Sequence, residues 1–293
     1  MGGAARARGA RGPGVLRARR RRRRHRGVRT GPGLVVHPGG HHHAARRRRG
    51  PTRRERLVSA SSCPGWLLDE VASAGRENLD AEHVARYDGK EDAGAVAEVA
   101  LLQHLGLVAE SVVVEIGTGT GQFALAVAPV CARVVTVDVS PVMLELLRAK
   151  TTTTAAGNVE VVQAGFLTHE HHGEPADVVY TRYALHHLPD AWKAIALVRM
   201  RRMLRTGGLL RLWDVVYDFA ADQAAERLEA WCATGGEVVE GEWSRAEYEE
   251  HVRDEHSTFT WLLEPMITRA DFTIETAEHS EDGIFAKYVL RAV

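Results

Sequence analysis

The segment Val112-Val113-Val114-Glu115-Ile116-Gly117-Thr118-Gly119-Thr120-Gly121-Gln122-Phe123-Ala124 runs an apolar stretch into three glycines on alternate positions and then into a helical pattern. Glycine there lets backbone pass close to a ligand and takes dihedrals closed to other residues. The helix that follows offers unpaired N–H groups to a carboxylate or phosphate. Seventeen residues past Gly121, Asp138 ends the next apolar run, where a carboxylate can accept hydrogen bonds from both hydroxyls of a ribose. A dinucleotide fingerprint G-x-G-x-x-G needs glycine where Gln122 stands, which counts against a nicotinamide ligand. Glycines flanked by Glu115 and Asp138 point to a nucleoside held over the ends of two neighbouring strands.

Other residues could act on a second substrate. His186 and His187 follow a fourth apolar run, and an imidazole titrating near neutrality could take a proton from an acceptor; a His-His-Leu-Pro turn could equally pack its loop against the next helix. Tyr180 reads as core, Tyr183 as a ligand contact or a packed ring. The tract His41-His42-His43 has no Cys or carboxylate neighbours, and His169, His171 and His172 stand in a polar loop beside Glu170 and Glu174. Both read as solvated segments, and no metal-ligand set is assigned. Cys63, Cys131 and Cys232 stand far apart with no CxxC pair, which fits a reducing cytoplasm better than a disulfide framework.

These residues need strands and helices to bring them together. Short β-branched runs at Val112–Val114, Val134–Val137, Val159–Val162, Val178–Tyr180 and Leu209–Leu212 alternate with longer amphipathic segments. Near-continuous apolar strands separated by helices predict a parallel sheet covered on both faces. Ser140 caps and Pro141 starts a helix over 141–150. A second helix over 190–205 is expected to stop at Gly207-Gly208. Phe272–His279 and Ile284–Leu290, joined by Ser280-Glu281-Asp282-Gly283, read as a hairpin rather than a crossover. Residues 216–265 exceed what one crossover needs, and their surplus, with Trp231, Trp243 and Trp261, reads as a cap over an acceptor pocket or as cap core.

The chain's 38 basic and 38 acidic residues balance, but not locally. Residues 1–56 hold 19 Arg against the single acid Glu55, leaving 19 bases against 37 acids and a body of net charge −18. An acidic body disfavours a phosphate-binding groove. The Arg-rich segment is too poor in apolar residues to offset the cost of ordering, and reads as a disordered tail. A nucleic-acid arm, or a stretch not natively translated, are the other readings. It has no apolar run for a secretory or twin-arginine signal and too little Ser for a transit peptide. The cluster Arg199, Arg201, Arg202 and Arg205 reads as a solvated helix face in preference to a nucleic-acid patch.

From about residue 64 onward the sequence resembles the class I S-adenosylmethionine-dependent methyltransferases. The matching motifs are V-V-V-E-I-G-T-G-T-G, V-T-V-D-V-S-P-V-M, Q-A-G-F-L, Y-T-R-Y-A-L-H-H-L-P-D and L-R-T-G-G-L-L-R-L, in that order. The resemblance implies an α/β Rossmann-like doubly wound sheet of seven strands, the last antiparallel, with a helical cap. The domain would span 57–293, with cap elements at about 57–105 and 216–265. S-adenosyl-L-methionine would be the cofactor. Gly117, Thr118, Gly119 and Gly121 would line its methionine and ribose portions, Glu115 would polarise the loop on the ammonium side, and Asp138 would bind the ribose diol. Val139 and Met143 would sandwich the adenine. Many relatives carry an acid in the third motif, where Ala164-Gly165-Phe166 stands here, leaving backbone groups of Gly165 and Phe166 to read the base. Thr181 and Arg182 would face the methionine end, and Tyr87 would belong to a lid over the cofactor or pack as an ordinary aromatic.

No N-P-P-Y run and no Pro-Cys nucleophile marks a nucleic-acid base as acceptor. The expected activity is therefore methyl transfer to oxygen, nitrogen or carbon of a small molecule in the cytoplasm, with no membrane anchor and no assigned oligomeric state. His186 and His187 are the candidate bases. RNA or DNA methylation guided by the basic tail, or cofactor binding without turnover, are the alternatives.

Overall fold

The computed structural model describes residues 64–75, 78–80, 84, 94–154, 156–236 and 243–293. The Arg-rich segment 1–56, the His41-His42-His43 tract, Cys63 and Tyr87 lie outside these residues. In chain order the described elements are α1 (Ala95–His104), β1 (Val112–Ile116), α2 (Gln122–Val127), β2 (Arg133–Asp138), α3 (Pro141–Thr153), β3 (Val159–Gln163), β4 (Ala176–Arg182), α4 (Asp190–Met203) and β5 (Leu204–Tyr217). There follow α5 (Ala224–Cys232), α6 (Arg245–Asp254), β6 (Thr258–Phe259), α7 (Thr260–Arg269), β7 (Phe272–His279) and β8 (Phe285–Ala292).

All five residues of β1 are buried, as an unbroken apolar run covered on both faces requires. Its side chains alternate between two cores. Val112, Val114 and Ile116 join Leu197 and Met200 of α4 and Leu263 and Ile267 of α7. Val113 points the other way, to Leu102 of α1 and Phe123 and Val127 of α2. The strand order is β3-β2-β1-β4-β5-β8-β7, with short β6 pairing beside β5. Neighbours from β3 to β5 are parallel, whereas β8 runs antiparallel to both β5 and β7. The expected seven-strand path and terminal hairpin are thus present, with β6 as an addition. Chain order reverses across β1, between β2 and β4, and loops leaving strand ends at such a switch point diverge and open a crevice.

Ser140 caps α3 as its sequence suggests: its hydroxyl accepts from the Met143 N–H at 3.1 Å, and Pro141 occupies the first turn. The end of α4 differs from expectation. The helix stops at Met203 and Leu204 is already extended, at φ −85° and ψ 145°. Leu204 pairs with Ala176 and Leu209 with Val178, so β5 carries extra residues opposite β4. Gly207, at φ +75°, lies in that bulge rather than ending a helix.

Arg211 interrupts the apolar face of β5 and is nevertheless buried. Its Nε and Nη2 donate to the two carboxylate oxygens of Glu98 on α1 at 2.8 and 2.9 Å, a bidentate pair stapling helix to sheet. Glu98→Ala is expected to cost about 3–5 kcal/mol, because it strands a buried guanidinium, whereas the double substitution Glu98→Met/Arg211→Met should recover most of that loss. Urea midpoints measure both; a loss under about 1 kcal/mol in the single variant would show that the pair is not holding α1 in place.

Candidate functional site

The loop after β1 is slung from β2. Gly117 N–H and Thr118 N–H both donate to Val137 O, at 2.8 and 3.2 Å. At Gly117 the backbone takes φ +74°, and a Cβ there would fall 2.3 Å from the Cβ of Ala184, so the position admits only glycine. Asp138, at the tip of β2, accepts from Gly119 N–H through Oδ2 and from Ser140 N–H through Oδ1, both at 2.8 Å. Burial raises its pKa, against the pull of those amides. Glu115 is more extreme. Buried at the end of β1, it accepts from the Thr118 hydroxyl at 2.7 Å, yet burial, with Asp138 adding to it, pushes its pKa up to about 8.

Two adjoining clefts open over this loop. One encloses about 590 Å³, part of it open to solvent, and is walled by Asp138, Val139, Gly165 and Phe166. The other, of about 430 Å³, is walled by Glu115, Thr118, Thr120, Phe123 and Tyr180. Gly117, Gly119, Arg182 and Tyr183 belong to both and form their junction. Tyr183 sits there at φ +48°, a strained conformation for a residue with a side chain. Its N–H donates to Trp213 O at 2.9 Å, and its ring packs against Trp213 and Phe285, with ring centres 5.5 and 5.8 Å away. The Arg182 guanidinium lies 4.2 Å from the Trp213 ring centre.

Three of the residues expected at the cofactor do not line either cleft. Gly121 serves packing: a Cβ there would lie 2.2 Å from Leu147 Cδ1. Met143 is turned into the interior by the first turn of α3 and is 1% exposed. Thr181 is buried beneath the floor, also at 1%. Conversely, Glu70 is a cleft residue that no motif in the sequence marks. Its carboxylate walls the larger cleft and accepts from Leu167 N–H at 3.1 Å and from the Thr168 hydroxyl at 3.3 Å. A Cβ on Gly165 would come within 2.3 Å of it. A carboxylate from the N-terminal segment therefore fills the space beside the third motif, and burial raises its pKa.

The two candidate bases differ in their surroundings. His186 is buried and lines neither cleft; its Nδ1 bonds Asp214 and its Nε2 is 2.8 Å from Glu255. Burial alone would lower its pKa, but the two carboxylates raise it to about 10. Each nitrogen of this ring thus faces a carboxylate, away from both clefts. His187 lines the larger cleft, and burial beside His186 lowers its pKa to about 3. It is a neutral ring able to hydrogen-bond but weakly basic. Elsewhere, Arg199 is not solvated: it donates to Phe166 O and His169 O at 3.0 and 2.7 Å, bracing the third-motif loop. Arg205 lies on β5 and pairs with Asp177 at 2.7 Å. His169 is buried, with its pKa lowered to about 4 by burial, and is not in a solvated loop.

The site fits an adenosyl sulfonium. Gly117 and Gly119 bring bare backbone to both clefts, Asp138 presents a carboxylate at a strand tip, and Glu115 offers a second to a cation. The Tyr180 hydroxyl, buried in the smaller cleft, has no hydrogen-bond partner among the described residues and awaits one. Residues 113–208 match the family described as a methyltransferase domain. An uncharacterized methyltransferase of Anoxybacillus flavithermus is 29% identical over 164 residues, which cover 56% of this chain and 70% of that relative. Residues 113–208 are thus a methyltransferase domain, with S-adenosyl-L-methionine as its cofactor. Among solved structures, an S-adenosylmethionine-dependent methyltransferase from Clostridium acetobutylicum aligns with TM-score 0.55 at 10% identity, over 72% of this chain and 98% of that one. The CcbJ methyltransferase from Streptomyces caelestis aligns with TM-score 0.53 at 18% identity, over 70% and 98%. At such identity these two speak for the fold alone. Among the described residues of the methyltransferase no helix is long and apolar enough to cross a membrane.

Proposed function

We propose that this methyltransferase alkylates a nucleophilic atom of a small, neutral or cationic organic acceptor, brought to the junction of the two clefts beside Arg182 and Tyr183. The bound cofactor supplies a methyl carbon made electrophilic by its sulfonium. The chain's own residues bind, align and exclude water, which suffices for an in-line displacement when the acceptor carries an available lone pair. Asp138 would take the ribose hydroxyls, Glu70 the adenine amino group in place of the missing third-motif acid, and Glu115 and Tyr180 the methionine end. Support for a small acceptor comes from one observation. The junction is roofed by an aromatic group, Tyr183 with Trp213 and Phe285, continuous with the cap cluster containing Trp231 and Tyr217. Apolar enclosure with a few polar groups suits a small organic molecule, and the acidic body repels a polyanion.

The test supplies the full chain with methyl-labelled S-adenosylmethionine and either a panel of small amines, phenols and carbon acids or structured RNA and duplex DNA. Label should enter small acceptors, and Tyr183→Ala should reduce kcat/KM by about 10- to 100-fold while leaving S-adenosylhomocysteine binding within about threefold. Label entering only nucleic acid, and lost on deleting residues 1–56, would replace this reading with nucleic-acid methylation. Tight cofactor binding with no labelled product from any acceptor would favour a sensor.

A further inference from the structure

A second group of side chains converges behind the cofactor cleft, where the cap meets the core. His186 Nε2 stands 2.8 Å, and His251 Nδ1 2.7 Å, from one and the same oxygen, Glu255 Oε2. At these distances each imidazole forms an ion pair with the carboxylate when it carries a proton, and a cation that displaces those protons would meet the same converging atoms. The three atoms face a common centre, all within 4.8 Å of one another. A third imidazole joins them. His187 Nδ1, buried and without a hydrogen-bond partner among the described residues, is 3.8 Å from the same carboxylate oxygen.

The outer nitrogens are all held. Asp214 bonds His186 Nδ1, Ser257 Oγ lies 2.9 Å from His251 Nε2, and Asn78 Nδ2 lies 3.4 Å from His187 Nε2. Inner nitrogens that converge on one carboxylate oxygen while the outer ones are fixed, one of them by a second carboxylate, is an arrangement that orients imidazoles toward a metal ion. The charges match too, since Asp214 and Glu255 together balance a dication. Imidazole-dominated donors disfavour the hard cations magnesium and calcium and select a first-row transition ion, and four such donors, one buried and three half-buried, suit zinc.

We propose that His186 Nε2, His251 Nδ1 and Glu255 Oε2, with His187 Nδ1 as the fourth donor, form a structural site for a zinc-class divalent cation. The site fastens the end of α6 to the turn after β4. The two segments are already in register, for His256 N–H donates to His186 O at 2.9 Å and Lys193 Nζ bonds both Leu188 O and His256 O. The ion would fix the cap beside His187, a residue that lines the larger cleft, without entering the methyl-transfer chemistry.

Zinc alone is the probe, and metal content rather than activity is the readout. The full chain carries His41-His42-His43, so the parent is H41A/H42A/H43A, stripped with a chelator and dialysed against zinc. One equivalent should be retained, with a thermal midpoint that rises with zinc concentration. His251→Ala and Glu255→Gln should each weaken zinc binding at least about 100-fold, and Asp214→Asn by about 10- to 100-fold through loss of the outer partner. A parent that retains no zinc, or variants that retain as much as the parent, overturns the proposal. If the variants fail to fold by circular dichroism, cobalt loaded into the parent decides. Intense visible bands of a four-coordinate ion support the site, and the weak spectrum of an aquo ion overturns it.

Discussion

Asp138→Ala is expected to raise the dissociation constant for S-adenosylhomocysteine about 100- to 1000-fold. A carboxylate accepting from two ribose hydroxyls contributes about 1.5–3 kcal/mol per bond, and each 1.4 kcal/mol is about tenfold in affinity. Part of the loss would come from the loop, because Asp138 also accepts from Gly119 and Ser140 N–H groups. A 2′-deoxy analogue separates the two contributions. The parent should prefer the ribose form, and the variant should bind both forms equally; a surviving preference would place the diol elsewhere. Glu70→Ala is read the same way with an analogue bearing hypoxanthine in place of adenine. Loss of discrimination between the bases marks Glu70 as the amino-group acceptor, whereas equal weakening of both marks it only as a cap on Leu167 and Thr168. Calorimetry gives each of these constants, and an Asp138→Ala constant within threefold of the parent's would dismiss the ribose assignment.

The difference between these two carboxylates also shows where sequence reading stops. Asp138 was accessible because β1, the glycine loop and β2 are consecutive, so a fixed count along the chain places it at the neighbouring strand tip. Glu70 reaches the same cleft from 95 residues before Gly165, and no local spacing links them. The missing acid in the third motif was visible; its replacement was not. His251 and Glu255 show an i, i+4 spacing on a helix, but their convergence with His186 depends on how the cap closes, which propensity does not encode. Arg211 stands within an apolar run, and only the position of α1 shows Glu98 as its partner. The glycine pair after α4 reads as a helix stop in sequence because a bulge and a C-cap draw on the same freedom at positive φ, and the strand register settles which is used.

Glu115 should make cofactor affinity depend steeply on pH. Burial lifts its pKa to about 8 in the ligand-free protein, so near neutrality the carboxyl is mostly protonated and uncharged. A ligand carrying an ammonium and a sulfonium favours the ionised form, and binding must then release a proton. Below the ligand-free pKa, affinity for S-adenosylmethionine therefore rises with pH by up to about tenfold per unit, or about 30-fold between about pH 6 and 7.5, a window that lies below the ordinary pKa of the ligand's own amino group. Calorimetry at pH 7 in buffers of different ionisation enthalpy should report close to one proton released. Glu115→Gln should flatten the profile and bind more weakly than the parent at the upper end. Stability runs the other way: the unfolded chain ionises Glu115 near the ordinary value of about 4.5, so the ligand-free fold loses stability as pH rises from there to about 8. The Gln variant, free of that penalty, should melt higher than the parent at alkaline pH without ligand and gain less from adding it. Asp138 is the nearest charge and raises the same pKa, so Asp138→Asn should move the midpoint of the profile to lower pH. A flat profile in the parent with no proton release would mean that Glu115 is already ionised, and its role as the cation's partner would fall.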